Sequence, residues 1–299
     1  MTDPIELKKK IITGKKDGPH FLITGGVHGD EFESMVAIRR LMHVVKPEDL
    51  RGKLTLVPVV NEAAFWNGDR TAEDGLDLAR VCPGRPDGSV TERTAHALSA
   101  LIRSADYYID LHSGGIRMHV APMIGYGLVK DPQVLDTQRR MARAFNVPII
   151  WGTDASLEGR SLSIARHANV PALYSEWLGG GSCDLEGAQL EVEGCLNVMG
   201  EVGMIDRVQP PSLVKHVVED PRPQSGYMQA NYPAPMDGFF EPAVELEQSI
   251  KAGDPLGVVS DHLGEQTETV LSTQTGFVLT LRAFSRVHKD DCLAVVVEN

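Results

Sequence analysis

The tightest constraint on the fold is a repeated figure in which a short apolar run ends in glycine and is followed by residues at helical spacing. His20 to Val27 is such a run, His-Phe-Leu-Ile-Thr-Gly-Gly-Val, and the stretch Asp30 to Val45 then sets Phe32, Met35, Val36, Ile38, Leu41 and Met42 near helical intervals. The run Leu54 to Val60 leads into a Gly/Asp-rich segment, Asn61 to Gly88, read as irregular. A helix is expected after it from about Thr91 to Ser104, with Thr91 as N-cap. Tyr107 to His112 reads as a strand closing on Ser113-Gly114-Gly115. Further strands are expected at Met118 to Ile124, Val147 to Trp151 and Ala172 to Glu176, with helices near Gln133 to Phe145 and Ser161 to Ala168. This alternation predicts an α/β fold whose mixed, mostly parallel sheet is flanked by helices on both faces.

The cadence changes where Gln209-Pro210-Pro211 and Pro221-Arg222-Pro223 flank a stretch poor in helix signals, which puts a boundary near 205 to 225. Residues 1–210 are therefore expected to form a larger α/β domain, read below as the catalytic one from its site residues, and 211–299 a smaller all-β domain of short strands separated by Gly, Asp and Pro. The chain's 299 residues suffice for both. Its formal charge, 29 basic minus 41 acidic or -12, and the lack of any basic run beyond Lys8-Lys9-Lys10 argue against nucleic acid and anionic membrane as partners. The N-terminal residues Met1 to Glu6 lack a signal-peptide layout, and the four cysteines are scattered, so a cytoplasmic location is expected.

The densest chemistry lies in Gly25-Gly26-Val27-His28-Gly29-Asp30-Glu31. An imidazole and a carboxylate three residues apart after a strand can aim at one metal ion, and the glycines allow the tight bend that presents them. His112, at another glycine-rich strand end, is the expected third ligand. Two His and one carboxylate leave a tetrahedral zinc ion one open position, the usual make-up of a hydrolytic site. Such a site needs a general base, and Glu176, closing an apolar strand before Trp177 and Gly179-Gly180-Gly181, is the candidate. Asp110, two residues before His112 on the same strand face, either orients that histidine or serves as a structural cap. Trp151, Trp177, Tyr126 and Phe65 either shape specificity or belong to the core.

Three segments in this order, Gly-Gly-Val-His-Gly-Asp-Glu, Asp-Leu-His-Ser-Gly-Gly and Ser-Glu-Trp-Leu-Gly-Gly-Gly, give the chain a resemblance to the succinylglutamate desuccinylase/aspartoacylase family, relatives of the zinc carboxypeptidases. The resemblance spans about residues 18 to 205. It implies one zinc ion per chain held by His28, Glu31 and His112, catalytic Glu176, and hydrolysis of a small N-acyl amino acid. The glycine-rich run after Glu176 most resembles that of enzymes that deacetylate N-acetyl-diaminobutyrate. By motif position Arg70 matches the oxyanion-stabilising arginine and Arg80 the substrate-carboxylate arginine, whose planar guanidinium suits a bidentate carboxylate. The chain departs from the family at Ala79, where Asn is usual. Asn61 and Ser113 complete the expected substrate-binding set.

The tail from Val244 to Val297 is similar to a biotinyl/lipoyl-type half-barrel, carried by Gly253-Asp254-Pro255-Leu256-Gly257 and Thr275-Gly276-Phe277-Val278. It is read as a cap on the pocket or as a surface for homo-oligomerisation. The functional expectation is a zinc-dependent amidohydrolase. A carboxypeptidase-like peptidase and a non-catalytic metal-binding module stand as alternatives.

Overall fold

The apolar runs fold as strands of one large sheet, and the periodic stretches fold as the helices that cover it. The computed structural model describes residues 5–226 and 232–298. Residues 1–4, on which the reading of the N-terminus partly rests, lie outside the described residues. The first half of the chain runs Lys10–Thr13 (β1), Lys16–Gly25 (β2), Phe32–Val44 (α1), Arg51–Val57 (β3), Glu62–Asn67 (α2), Leu78–Val81 (α3), Val90–Arg103 (α4) and Tyr107–His112 (β4). It continues through Met118–Leu128 (β5), Pro132–Phe145 (α5), Ile149–Asp154 (β6), Ser161–His167 (α6), Ala172–Gly179 (β7) and Leu185–Glu201 (α7). The tail comprises His216–Asp220 (β8), Tyr232–Pro233 (β9), Gly238–Pro242 (β10), Ser249–Ile250 (β11), Pro255–Ser260 (β12), Thr267–Leu271 (β13), Gly276–Arg282 (β14), Arg286–Val287 (β15) and Cys292–Val297 (β16).

The main sheet runs β1-β3-β2-β4-β7-β5-β14-β16-β9, with β6 joining β5 to β8 and β11 pairing β14. Its centre is parallel: β2 pairs in parallel with β3 and β4, and β4 with β7. On one face α1, α5 and α7 bury Ile38, Leu41, Met141, Phe145, Val192 and Leu196. On the other, α3, α4 and α6 bury Leu78, Leu98, Ile102 and Ile164. Each such side chain contributes about 1.5–3 kcal/mol by leaving water, and between them the helices hold the parallel strands rigid. The expected mixed, mostly parallel sheet covered by helices is present, and β13-β12-β10-β15 adds a separate antiparallel sheet in the C-terminal region.

The tail also continues the main sheet. Strand β5 pairs its first residues, Met118 to Val120, with Arg282 to Thr280 of β14, and its later residues, Met123 to Leu128, with β6. Two local expectations are corrected, and one helix is added. The N-cap of α4 is Ser89 rather than Thr91: its hydroxyl accepts from the Glu92 N–H, and the Glu92 carboxylate accepts from the Ser89 N–H at 2.9 Å, a reciprocal pair that Thr91 cannot make. Thr91 instead donates its N–H and hydroxyl to Asp74, at 3.0 and 2.8 Å, tying the preceding segment down. That segment is not wholly irregular, since α2 and α3 lie in it. Helix α7 had no counterpart in the sequence reading. No helix among the described residues is long and apolar enough to cross a membrane.

Candidate active site

The three expected ligands converge at the carboxyl ends of parallel strands, where α/β sheets open their crevices. His28 sits in the bend after β2, Glu31 at the start of α1, and His112 is the last residue of β4; all three are buried. The bend is glycine-dependent. Gly26 has φ +63°, and a Cβ on Gly29 would come within 2.1 Å of the Ala64 backbone carbon of α2. Asp30 accepts from the Ile116 N–H at 2.9 Å, so the loop carrying two ligands is tied to the loop that follows the third.

Glu31 lies between the imidazoles, with Oε1 2.6 Å from His28 Nδ1 and Oε2 2.8 Å from His112 Nδ1. One ligand atom from each of the three falls within 4.8 Å of the others. Both rings therefore turn Nδ1 inward, and each rests Nε2 on a further carboxylate: His28 on Asp77 at 3.1 Å and His112 on Asp110 at 3.1 Å. Asp110 is fully buried and accepts from Thr24 Oγ1 at 2.7 Å and from the Ser161 hydroxyl. This is the donor chemistry of a divalent cation site: two imidazoles and a carboxylate face inward, and each ring has an outer carboxylate at its Nε2. The residues fit zinc.

Without a cation the charges settle on one another. Burial works against ionising Glu31, but His28 and His112 hold its carboxyl well below the ordinary range. Burial likewise opposes charge on His112, yet Asp110 and Glu31 raise it well above an ordinary histidine. Glu176 is the register partner of His112 across the β4–β7 pair. Burial, with Glu31 adding repulsion, pushes its carboxyl up to about 8. The fold thus sets a buried carboxyl beside the cluster.

Arg70, Arg80, Ser113 and Glu176 line one pocket with the three ligands. Arg70 donates Nε and Nη2 to Asp77 Oδ2, at 3.2 and 3.0 Å, and places Nη1 3.7 Å from Glu31. Arg80 reaches the pocket beside Ala79. Asn61 is fully buried, accepts from the Ala64 N–H as the N-cap of α2, and does not line the pocket. Of the four aromatics weighed for specificity none lines it, and Tyr126 and Trp151 are buried core residues; Tyr174 lines it instead.

Asp77 is the main residue that the sequence reading missed. It binds His28 and Arg70 together and also caps α3, accepting from the Ala79 N–H at 2.9 Å. Burial opposes its charge, but the His28 hydrogen bond and Arg70 hold its carboxyl well below the ordinary range.

Residues 17–201 match the family model described as the succinylglutamate desuccinylase/aspartoacylase catalytic domain. The chain is 29% identical over 293 residues to N-alpha-acetyl-L-2,4-diaminobutyric acid deacetylase of Halomonas elongata, a match covering 96% of this chain and 84% of the relative. Succinylglutamate desuccinylase/aspartoacylase from Rhodobacter sphaeroides superposes with a TM-score of 0.88 at 26% identity, covering 99% of this chain and 89% of that one. The product-bound ectoine utilization protein of Ruegeria pomeroyi gives 0.85 at 27% identity, covering 96% and 87%.

Proposed function

Because the chain belongs to the succinylglutamate desuccinylase/aspartoacylase family, we propose that it is a zinc-dependent amidohydrolase that removes the acyl group from a small N-acyl amino acid or related amide. The observation that carries this reading is the His28–Glu31–His112 cluster with Glu176 beside it on the neighbouring strand. A zinc ion held by those three residues supplies the Lewis acidity that makes water reactive near neutral pH.

The chain's own residues do the rest. Glu176 takes the proton of the attacking water and returns it to the departing amine. Burial raises its carboxyl above the ordinary range, which suits a group that must give its proton back to the amine. Arg70, oriented by Asp77, stabilises the negative charge that develops on the acyl oxygen. Arg80 holds the substrate carboxylate, with Ser113 on the pocket wall. Asp110 and Asp77 keep the imidazoles in the tautomer that leaves Nδ1 free to bind the ion.

The test is elemental analysis beside turnover on a panel of N-acyl amino acids. Wild type should carry close to one zinc per chain and hydrolyse members of the panel, and His112→Ala should lose the metal. Glu176→Gln should keep the metal and lose at least ~10²-fold in kcat. A zinc-loaded wild type inert across the panel, or near-normal turnover in Glu176→Gln, would overturn the reading.

A further inference from the structure

The tail supplies part of the pocket wall, through Thr280 of β14 and Cys292 of β16, and the reaction proposed above uses neither. Thr280 is 3% exposed, and its hydroxyl has no hydrogen-bond partner among the described residues. A buried hydroxyl has given up its bonds to water and normally regains one inside the protein. One that faces a cavity unpaired is open to an atom of whatever fills the cavity.

The strand neighbours that share this wall with it are uncharged. Thr280 pairs with Val120 of β5, and Met118 leaves the same face of that strand; both line the pocket. Val120 and Cys292 belong to one buried apolar cluster, against which Met118 and Tyr174 pack. Burial pushes the Cys292 thiol up to about 12, which keeps it neutral. The next side chain on that face of β14 is Arg282, but it is engaged elsewhere. It donates to Asp291 at 2.8 Å and to the carbonyls of Phe284 and Arg286 at 3.0 and 3.1 Å, and it does not line the pocket. An ion at this wall would lose its hydration beside neutral groups, which is costly. A hydroxyl or carboxamide there would exchange a bond to water for one to Thr280.

The wall is also remote from the reacting centre. Strand β5 lies between β7 and β14, so at about 4.8 Å per strand the backbones of Glu176 and Thr280 are roughly 10 Å apart across the sheet. Their register partners on β5, Met123 and Val120, differ as well, which adds a displacement along the strands.

Resting on the deacylase reading, we propose that Thr280 is a specificity-determining residue: its hydroxyl binds an uncharged hydrogen-bonding group, a hydroxyl or a carboxamide, on an arm that extends several bonds from the scissile amide. A threonine hydroxyl both donates and accepts, so it pairs with either group. The substrate is then an N-acyl amino acid longer than acetylated alanine, with the polar end on its acyl or its amine side.

The experiment compares kcat/KM of the zinc-loaded enzyme on two pairs of matched shape: N-(4-hydroxybutanoyl)alanine beside N-pentanoylalanine, and N-acetylglutamine beside N-acetylhomoleucine. In at least one pair the polar member should lead by about 10-fold, the scale of one hydrogen bond in a buried site, and which pair it is tells the acyl side from the amine side. Thr280→Val should abolish that lead, raising KM for the polar member about 10-fold and changing kcat little, while Thr280→Ser should keep it. Without substrate, Thr280→Val should melt about 2 °C above wild type, because it removes an unpaired buried hydroxyl without opening a cavity. Hydrolysis of both pairs with no lead for either polar member would sink the assignment and leave the deacylase standing. A lower melting temperature in Thr280→Val would also overturn it, since the hydroxyl would then be serving the fold. Inertness on all amides would sink the deacylase. Calorimetric binding of 4-hydroxybutanoate against pentanoate, and of glutamine against homoleucine, then decides Thr280 without catalysis, and equal binding within both pairs would refute its role.

Discussion

Asp77→Asn isolates what Arg70 contributes, because the two oxygens of Asp77 have separate duties. Oδ1 faces His28 Nε2 at 3.1 Å and the Ala79 N–H at 2.9 Å, while Oδ2 receives Nε and Nη2 of Arg70 at 3.2 and 3.0 Å. Were Nδ1 of His28 to bind the proposed zinc ion, Nε2 would carry the proton, and both partners on the Oδ1 side would be donors. The asparagine oxygen must therefore stay on that side, which leaves its NH2 pointing at the guanidinium. Two charge-assisted hydrogen bonds become a donor–donor conflict, and Arg70 swings away. Losing one oxyanion-stabilising donor costs about 2.7–4 kcal/mol, or roughly 10²- to 10³-fold in kcat. The metal site keeps its hydrogen bond and should lose less than about tenfold in affinity, below the loss of a whole outer contact. Zinc content and steady-state kinetics on the fastest N-acyl amino acid of the panel, wild type beside variant, decide the matter. A kcat within about threefold of wild type at full zinc would refute the role given to Arg70, since its guanidinium would have moved without consequence.

Two other perturbations test the surroundings of the site. Asp110→Asn should weaken zinc binding about 10- to 100-fold in a chelator competition, because His112 loses its charged partner at Nε2; an unchanged Kd would mean that this contact is idle. Glu191 on α7 is buried, accepts from the Ser175 hydroxyl at 2.7 Å, and is pushed up to about 8 by burial first and by Glu33 and Glu176 after it. A carboxyl raised in the folded state costs stability as pH climbs from its unfolded pKa, about 4.5, to its folded one. The thermal midpoint of wild type should therefore fall more between about pH 5 and about pH 8 than that of Glu191→Gln. Parallel profiles would show that Glu191 does not hold its proton; metal loss at low pH, common to both proteins, drops out of the difference.

The clustering of His28, Glu31 and His112 was legible because the two histidines end apolar runs beside glycines and Glu31 lies three residues after His28. His112 closes β4 where a buried strand has no other reason for a polar residue, and His28 and Glu31 straddle Gly29, whose missing side chain makes room for α2. Asp77 was not legible. It lies 49 residues from His28 in sequence, within a segment rich in aspartate and glycine, and no local pattern distinguishes it from Asp74, which merely anchors the loop to α4. Helix α7 was hidden for a different reason. It is buried over most of its circumference, so no polar face marks a helical period, and Gly187 and Gly194 read as breakers. They are there for packing: a Cβ on Gly187 would stand 1.9 Å from Trp177 Nε1, and one on Gly194 would stand 2.8 Å from the Phe145 ring. Tertiary contact, which a linear reading cannot see, decides both.

Strand β5 also sets how this protein can be cut. A chain ended at residue 210 would leave Met118 to Val120 without β14 and would strip Thr280 and Cys292 from the pocket wall. Bare strand edges recruit strands from other molecules, so such a fragment would sooner self-associate than act as a minimal enzyme. Grafting the tail of one relative onto the body of another meets the same seam. The heritable piece is the β5–β14 pairing together with both of its flanks, and a chimera that splits it breaks the wall around the substrate.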